Sequence, residues 1–135
     1  MYRIDFSPHG PGGLRAHVDG DRTLESTLGY WQQIAQRNAQ LHLRRLLVVD
    51  ELEGDELAPE QWLALVESMV GSGLEHVRIA HAKPRGVGQA EYCEIYANAA
   101  GFTARTFDDE RQAERWLRYG DAGVDVQPMP LRAAR

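Results

Sequence analysis

The chain carries a single cysteine, Cys93, among its 135 residues. One thiol cannot close an internal disulfide, so a hydrophobic core has to hold the fold together. The first apolar residues are interrupted by Arg3 and Asp5, and no signal peptide is expected there. No apolar stretch approaches the roughly 20 residues that a membrane span needs. Positive charge is scarce as well: 15 Lys and Arg against 20 Asp and Glu leave a formal charge of -5, and the bases are scattered. Nucleic acid and anionic membranes reward clustered Lys and Arg, so neither is expected as a partner. These absences together point to a cytoplasmic protein.

What is present reads as one globular domain. The hydrophobic fraction is 43% and the charged fraction 26%, near the averages for folded chains, and the length suffices for one core. Tyr2, Ile4 and Phe6 alternate with polar residues, as do Leu14, Ala16 and Val18, which predicts two half-buried strands. "SPHGPGG" between them predicts a flexible hairpin loop over 7–13. A helix follows from about Ser26 to Gln40, with Leu28, Trp31, Ile34 and Ala35 on one face and Ser26 or Thr27 as cap. Leu46 to Val49 form an unbroken apolar run, the mark of a central strand. Trp62, Leu65, Val66, Met69 and Val70 recur at helical spacing behind Pro59, and Gly71 or Gly73 ends that helix. "HVRIAHA" predicts a strand with Val77 and Ile79 on one face. A helix then runs from about Gln89 through Tyr92, Cys93, Tyr96 and Ala97 to Gly101. "FTARTF" suits an edge strand. The last helix starts at Asp109, has Gln112 at capping-box spacing, buries Ala113, Trp116 and Leu117, and stops at Gly120. Residues 1–119 are thus expected to form an α/β domain: a mixed, mostly parallel sheet of about five strands with about four helices. Residues 120–135, with two prolines and no periodicity, are expected to form a flexible tail.

"YWQQIAQ", "LRRLLVVDELEGDELAPEQWLALVESM", "HVRIAHAKPRG" and "FDDERQAERWLR" together resemble the SpoIIAA-like group of the STAS superfamily, over roughly residues 2–119. The resemblance implies a small, bacterial-type α/β module from a superfamily of anti-anti-sigma factors, transporter tails and sensory domains. Well-known members carry a regulatory serine at the start of the helix after the central strand. Laid on this chain from Asp50, that serine falls at Pro59, between Ala58 and Glu60, none of which accepts phosphate. The nearest hydroxyl on the helix is Ser68, about two and a half turns on.

In open α/β sheets ligands gather at the carboxyl ends of parallel strands. Asp50 and Glu51 are expected at that edge, followed by Glu53, Asp55 and Glu56, with His81, Lys83 and Arg85 after the next strand. Six acids crowd into the eleven positions from Asp50 to Glu60; the bland reading is the exposed end of a buried strand. Asp50 and Glu51 could hold a divalent cation through oxygen ligands, but a solvated acidic loop explains them better. Asp50 with Lys83-Pro84 is similar to a response-regulator receiver; the further acid pair a receiver needs is missing from "DFSPHG". "KPRGVGQ" could cradle a phosphate, yet it fits neither a Walker loop nor a dinucleotide fingerprint and reads better as a plain connection. His9, His17, His42, His76 and His81 lack zinc spacing. Cys93 lies on an apolar stripe and reads as a small hydrophobe. Trp31, Trp62 and Trp116 read as core.

The expected function is a non-enzymatic binding or signalling module, with no cofactor, metal or catalytic residue. It would recognise a protein partner or small ligand through Asp50, Glu51, Glu53, Asp55, Glu56, Lys83 and Arg85, and could assemble as a homodimer. The competing reading is a carrier of an apolar or lipid-like molecule between helices and sheet. Incubation with kinase and ATP is expected to leave Asp50 to Glu60 unmodified; phosphate placed there by mass spectrometry would overturn that.

Overall fold

A computed structural model of the chain describes residues 1–85 and 91–120. The expected helix start at Gln89 and the tail beyond Gly120 lie outside the described residues. Five strands form one sheet in chain order: β1 (Tyr2–Pro8), β2 (Gly13–Asp21), β3 (Arg45–Glu53), β4 (Arg78–Ala82) and β5 (Thr103–Phe107). β1 and β2 pair antiparallel, and the other three pairs are parallel. Parallel neighbours require a crossover, and α1 (Leu24–Leu41), α2 (Pro59–Met69) and α3 (Glu91–Ala99) lie in the three connections, while α4 (Glu110–Tyr119) follows the last strand.

The period of two in β3 explains the layers. Leu46, Val48 and Leu52 point to the face that carries Tyr30 and Ile34 of α1, Trp62 and Leu65 of α2 and Ala97 of α3. Leu47 and Val49 point the other way, against Ala113, Trp116 and Leu117 of α4. A strand buried on both faces must be apolar at both parities, and the LLVV run is the residue-level trace of that burial.

Several local expectations give way to specific hydrogen bonds. α1 starts earlier than its apolar stripe suggests, because Thr23 is the cap: its Oγ1 accepts from Ser26 N–H at 3.0 Å, while Thr27 Oγ1 donates back to Thr23 O at 2.8 Å. The interval 7–13 is a tight turn, with Ser7 and Pro8 still paired in β1 and Gly13 N–H bonded to Gly10 O at 3.1 Å. Val70 lies beyond the last turn of α2 and is exposed. Asp109 caps α4 through Arg111 N–H at 2.9 Å. At Gly20, φ is +127° and a Cβ would overlap the Met1 carbonyl and the Tyr2 backbone, so glycine is what lets β1 lie against the end of β2.

The three tryptophans are buried, as their helical positions predict. Trp62 is the largest of the fully buried side chains. Trp62→Ala is expected to cost about 3–5 kcal/mol, measured from urea midpoints; a loss below about 1 kcal/mol would contradict this packing.

Candidate functional site

β3 runs to Glu53, so the first four residues after the apolar quartet are strand, not loop. Its parity then decides which acid goes where. Asp50 continues the Leu46, Val48, Leu52 series and points beneath the helices, where it is 1% exposed. Glu51 points to the opposite face and meets His17 of β2, Oε1 to Nε2 at 2.8 Å. Adjacent strand residues face opposite ways, so these two carboxylates cannot share one cation. The expected acidic edge is therefore corrected: its leading residue is a core residue.

Asp50 gathers its neighbours as a buried anion must. Tyr30 O–H of α1 donates to Oδ2 at 3.1 Å, and His81 Nε2 of β4 lies 3.0 Å from the same oxygen. Oδ1 accepts from Leu52 N–H at 3.0 Å and lies 3.7 Å from Arg22 Nη1. Burial alone would push this carboxyl's pKa up. The His81 hydrogen bond and charge, the Lys83 charge and the Leu52 N–H outweigh it, and hold Asp50 well below the usual carboxylate range. Burial, and then the charge on Asp50, push the Tyr30 hydroxyl well above its ordinary value and keep it a donor.

A second pair adjoins the first. Lys83, the chain's only lysine, is 0% exposed and donates to both oxygens of Glu56 at 3.0 and 3.1 Å. Its Nζ also stands 5.3 Å from the centre of the Trp62 ring, a cation–π distance. Arg22 joins the pairs, with Nε 3.8 Å from Glu56 and Nη2 donating to Leu52 O at 2.6 Å. Two carboxylates thus meet three basic side chains, with Arg22 shared between them, His81 on Asp50 and Lys83 on Glu56. Removing one member would leave its partner uncompensated.

Asp50 and Lys83 are accordingly sealed inside and form no part of an exposed recognition surface. Glu51, Glu53, Asp55, Glu56 and Arg85 reach solvent to differing degrees. Arg85 lies 3.4 Å from Glu53 at the rim. Most of the phosphate-cradle interval, Gly86 to Gln89, lies outside the described residues. Among the described residues no cluster of three or more His, Cys, Asp and Glu could hold a metal ion, and no helix is long and apolar enough to cross a membrane. The start of α2 presents Ala58, Pro59 and Glu60, with Gln61 Oε1 accepting from Ala58 N–H at 2.8 Å, and no hydroxyl stands there.

Tyr30 and Arg22 escape the sequence reading. Tyr30 sits next to Trp31 on the apolar face of α1 and passes for another core aromatic. Arg22 follows a strand whose carboxyl end is a site edge, but nothing in "DGDRT" marks it as buried. The isolated lysine was the available signal: a chain whose other 14 bases are all arginine has kept one compact ammonium.

Beside this polar cluster an apolar cleft opens between α2 and α3. Leu65 and Met69 form one wall, Cys93 and Ala97 the other, and Ile79 and His81 of β4 lie beneath. Its free volume is about 50 Å³, roughly four times what one water needs. Burial pushes the Cys93 thiol up to about 12, against a lowering from Lys83, so it stays protonated. Glu94, at the same cleft, accepts from Thr106 N–H at 2.8 Å and from its hydroxyl at 2.7 Å.

No family model matches the chain, and no curated protein matches it.

Because the folded pKa of Asp50 is depressed, the stability it contributes is present above its unfolded value of ~3.9 and is lost as pH falls through the folded value. Asp50→Asn is expected to cost about 3 kcal/mol at pH 7, and the gap to the native chain should narrow as pH drops below about 4. Urea midpoints at pH 7 and pH 3 test this; an equal gap at both would contradict it.

Proposed function

We propose that this chain is a STAS-like binding module, not an enzyme, that takes the compact apolar part of a small molecule into the cleft between α2 and α3. The observation that carries this reading is a division of labour among the residues at the strand ends. Asp50 is paired with His81 and Lys83 with Glu56, while the wall beside them is apolar and open. A few convergent polar groups next to an apolar concavity are the usual make-up of a ligand site. The antiparallel first pair, the parallel remainder and the helix order support the STAS-like architecture that the sequence resembles.

Size narrows the ligand. An apolar cavity of roughly 150 Å³ accepts benzene, so a cleft of about 50 Å³ takes an edge of such a ring or a short branched alkyl group and leaves the rest at the mouth. It is far too small for a lipid chain, which argues against the lipid-like end of the carrier expectation. Asp50 with His81 has the form of the base half of a hydrolytic triad. The cleft's thiol supports a non-catalytic reading, because a protonated Cys93 is a poor nucleophile.

Toluene at millimolar concentration is expected to raise the melting temperature of the native chain. Ala104→Ile, which fills the cleft from β5, should remove that rise. No shift with the native chain, together with unchanged NMR signals from Leu65 and Met69, would overturn the reading.

A further inference from the structure

We infer that the outer edge of β1 is an interface for a second copy of this chain, the two β1 strands pairing antiparallel about a two-fold axis at Ile4. β1 and β5 are the two edges of the sheet, and an edge strand presents backbone N–H and C=O groups with which another chain can pair. The edge at β5 is closed by α3. Asn98 Nδ2 donates to Ala104 O at 2.8 Å, Asn98 Oδ1 accepts from Ala104 N–H at 3.3 Å, and Glu94 Oε1 accepts from Thr106 N–H at 2.8 Å. Among the described residues, nothing bonds the outer backbone groups of β1 in this way.

Parity says which groups these are. Asp21 N–H donates to Met1 O at 2.9 Å and His9 N–H donates to Gly13 O at 3.1 Å, one at each end of the β1–β2 register. Bonded and non-bonded residues alternate along an antiparallel pair, so the odd-numbered residues of β1 bond β2, and Tyr2, Ile4 and Phe6 turn their N–H and C=O outward. Pro8, next in that series, has no N–H and ends it. The side chains then select one register. With Ile4 opposite its own copy, Tyr2 faces the partner's Phe6 and Arg3 faces the partner's Asp5. An axis at Arg3 or at Asp5 would instead set arginine against arginine or aspartate against aspartate, and like charges directly opposite are destabilising. Charge on an edge strand ordinarily keeps other strands away; here the two charges have opposite signs and stand symmetrically about Ile4. Arg3 and Asp5 are 71% and 65% exposed, on the sheet face away from α1. On the α1 face Tyr2 and Phe6 are already held, with Gln33 Nε2 donating to Tyr2 Oη at 2.5 Å and the Arg37 guanidinium 4.2 Å over the Phe6 ring, so pairing costs little side-chain freedom. The cleft belongs to the other end of the sheet, at β4 and β5, and neither reading depends on the other.

Sedimentation equilibrium of the native chain, from about 1 µM to about 1 mM, tests the pairing. So short a strand pair lies at the weak end of specific interfaces, and a dissociation constant of about 10–100 µM is expected. Arg3→Asp and Asp5→Arg each set like charges opposite one another across the axis and should weaken self-association about tenfold. An equimolar mixture of the two variants should associate again, because every facing pair is then of opposite sign. Both positions are exposed, so the fold is kept. In hydrogen exchange of the native chain, the amides of Tyr2, Ile4 and Phe6 should gain protection as concentration rises. A native chain that stays monomeric at about 1 mM overturns the inference, and so does a dimer that ignores the charge reversals or leaves those amides unprotected.

Discussion

A carboxylate buried under three helices is the constraint on which the site depends. Asp50 cannot stay ionised there unless hydrogen bonds and positive charge reach it from several elements. Tyr30 from α1, His81 from β4, the Leu52 N–H from β3 itself and Arg22 from the end of β2 all converge on it. Each partner sits where the sheet order puts it: β2, β3 and β4 are consecutive parallel neighbours, so their carboxyl ends share one edge. The helices lie over that edge and exclude water. The same burial that makes the anion costly makes its contacts strong.

From that anion the rest of the site follows in steps. Lys83 and Glu56 add a charge-balanced pair, and Arg22 ties it to the first. With Asp50 and Lys83 turned inward, the cleft beside them has a mainly apolar wall, and His81 is the residue that touches the anion and also lines the cleft. The proposed function accordingly rests on the apolar cleft that the paired charges leave beside them, not on the number of charged residues.

Much of the fold was legible from residue periodicity alone. The order of nine elements, the antiparallel first pair and the parallel remainder follow from alternation, apolar runs and turn residues, because burial on one or two faces writes itself directly into sequence. Cap positions were less legible: Thr23 lies five residues before Leu28, the first residue of the stripe it caps, and its choice over Ser26 depends on where the chain leaves β2. The site was half visible. The acids and bases of the strand ends were found, and their roles were inverted, since Asp50 and Lys83 were expected at the surface. Strand parity held the correction, because Asp50 continues the Leu46 and Val48 face with Leu52 beyond it. Tyr30 and Arg22 were hidden, since their partnership exists only across strands and helices distant in sequence.

The claim beneath all of this is that Asp50 stays ionised inside the protein and anchors its neighbours. The ¹³Cγ resonance of Asp50, followed from pH 7 down to pH 2 in the folded chain, tests it directly. The account predicts a shift that stays at its ionised value through the range where ordinary aspartates titrate, around ~3.9. A midpoint near 4 or above would show a carboxyl that its neighbours do not hold, and would contradict it.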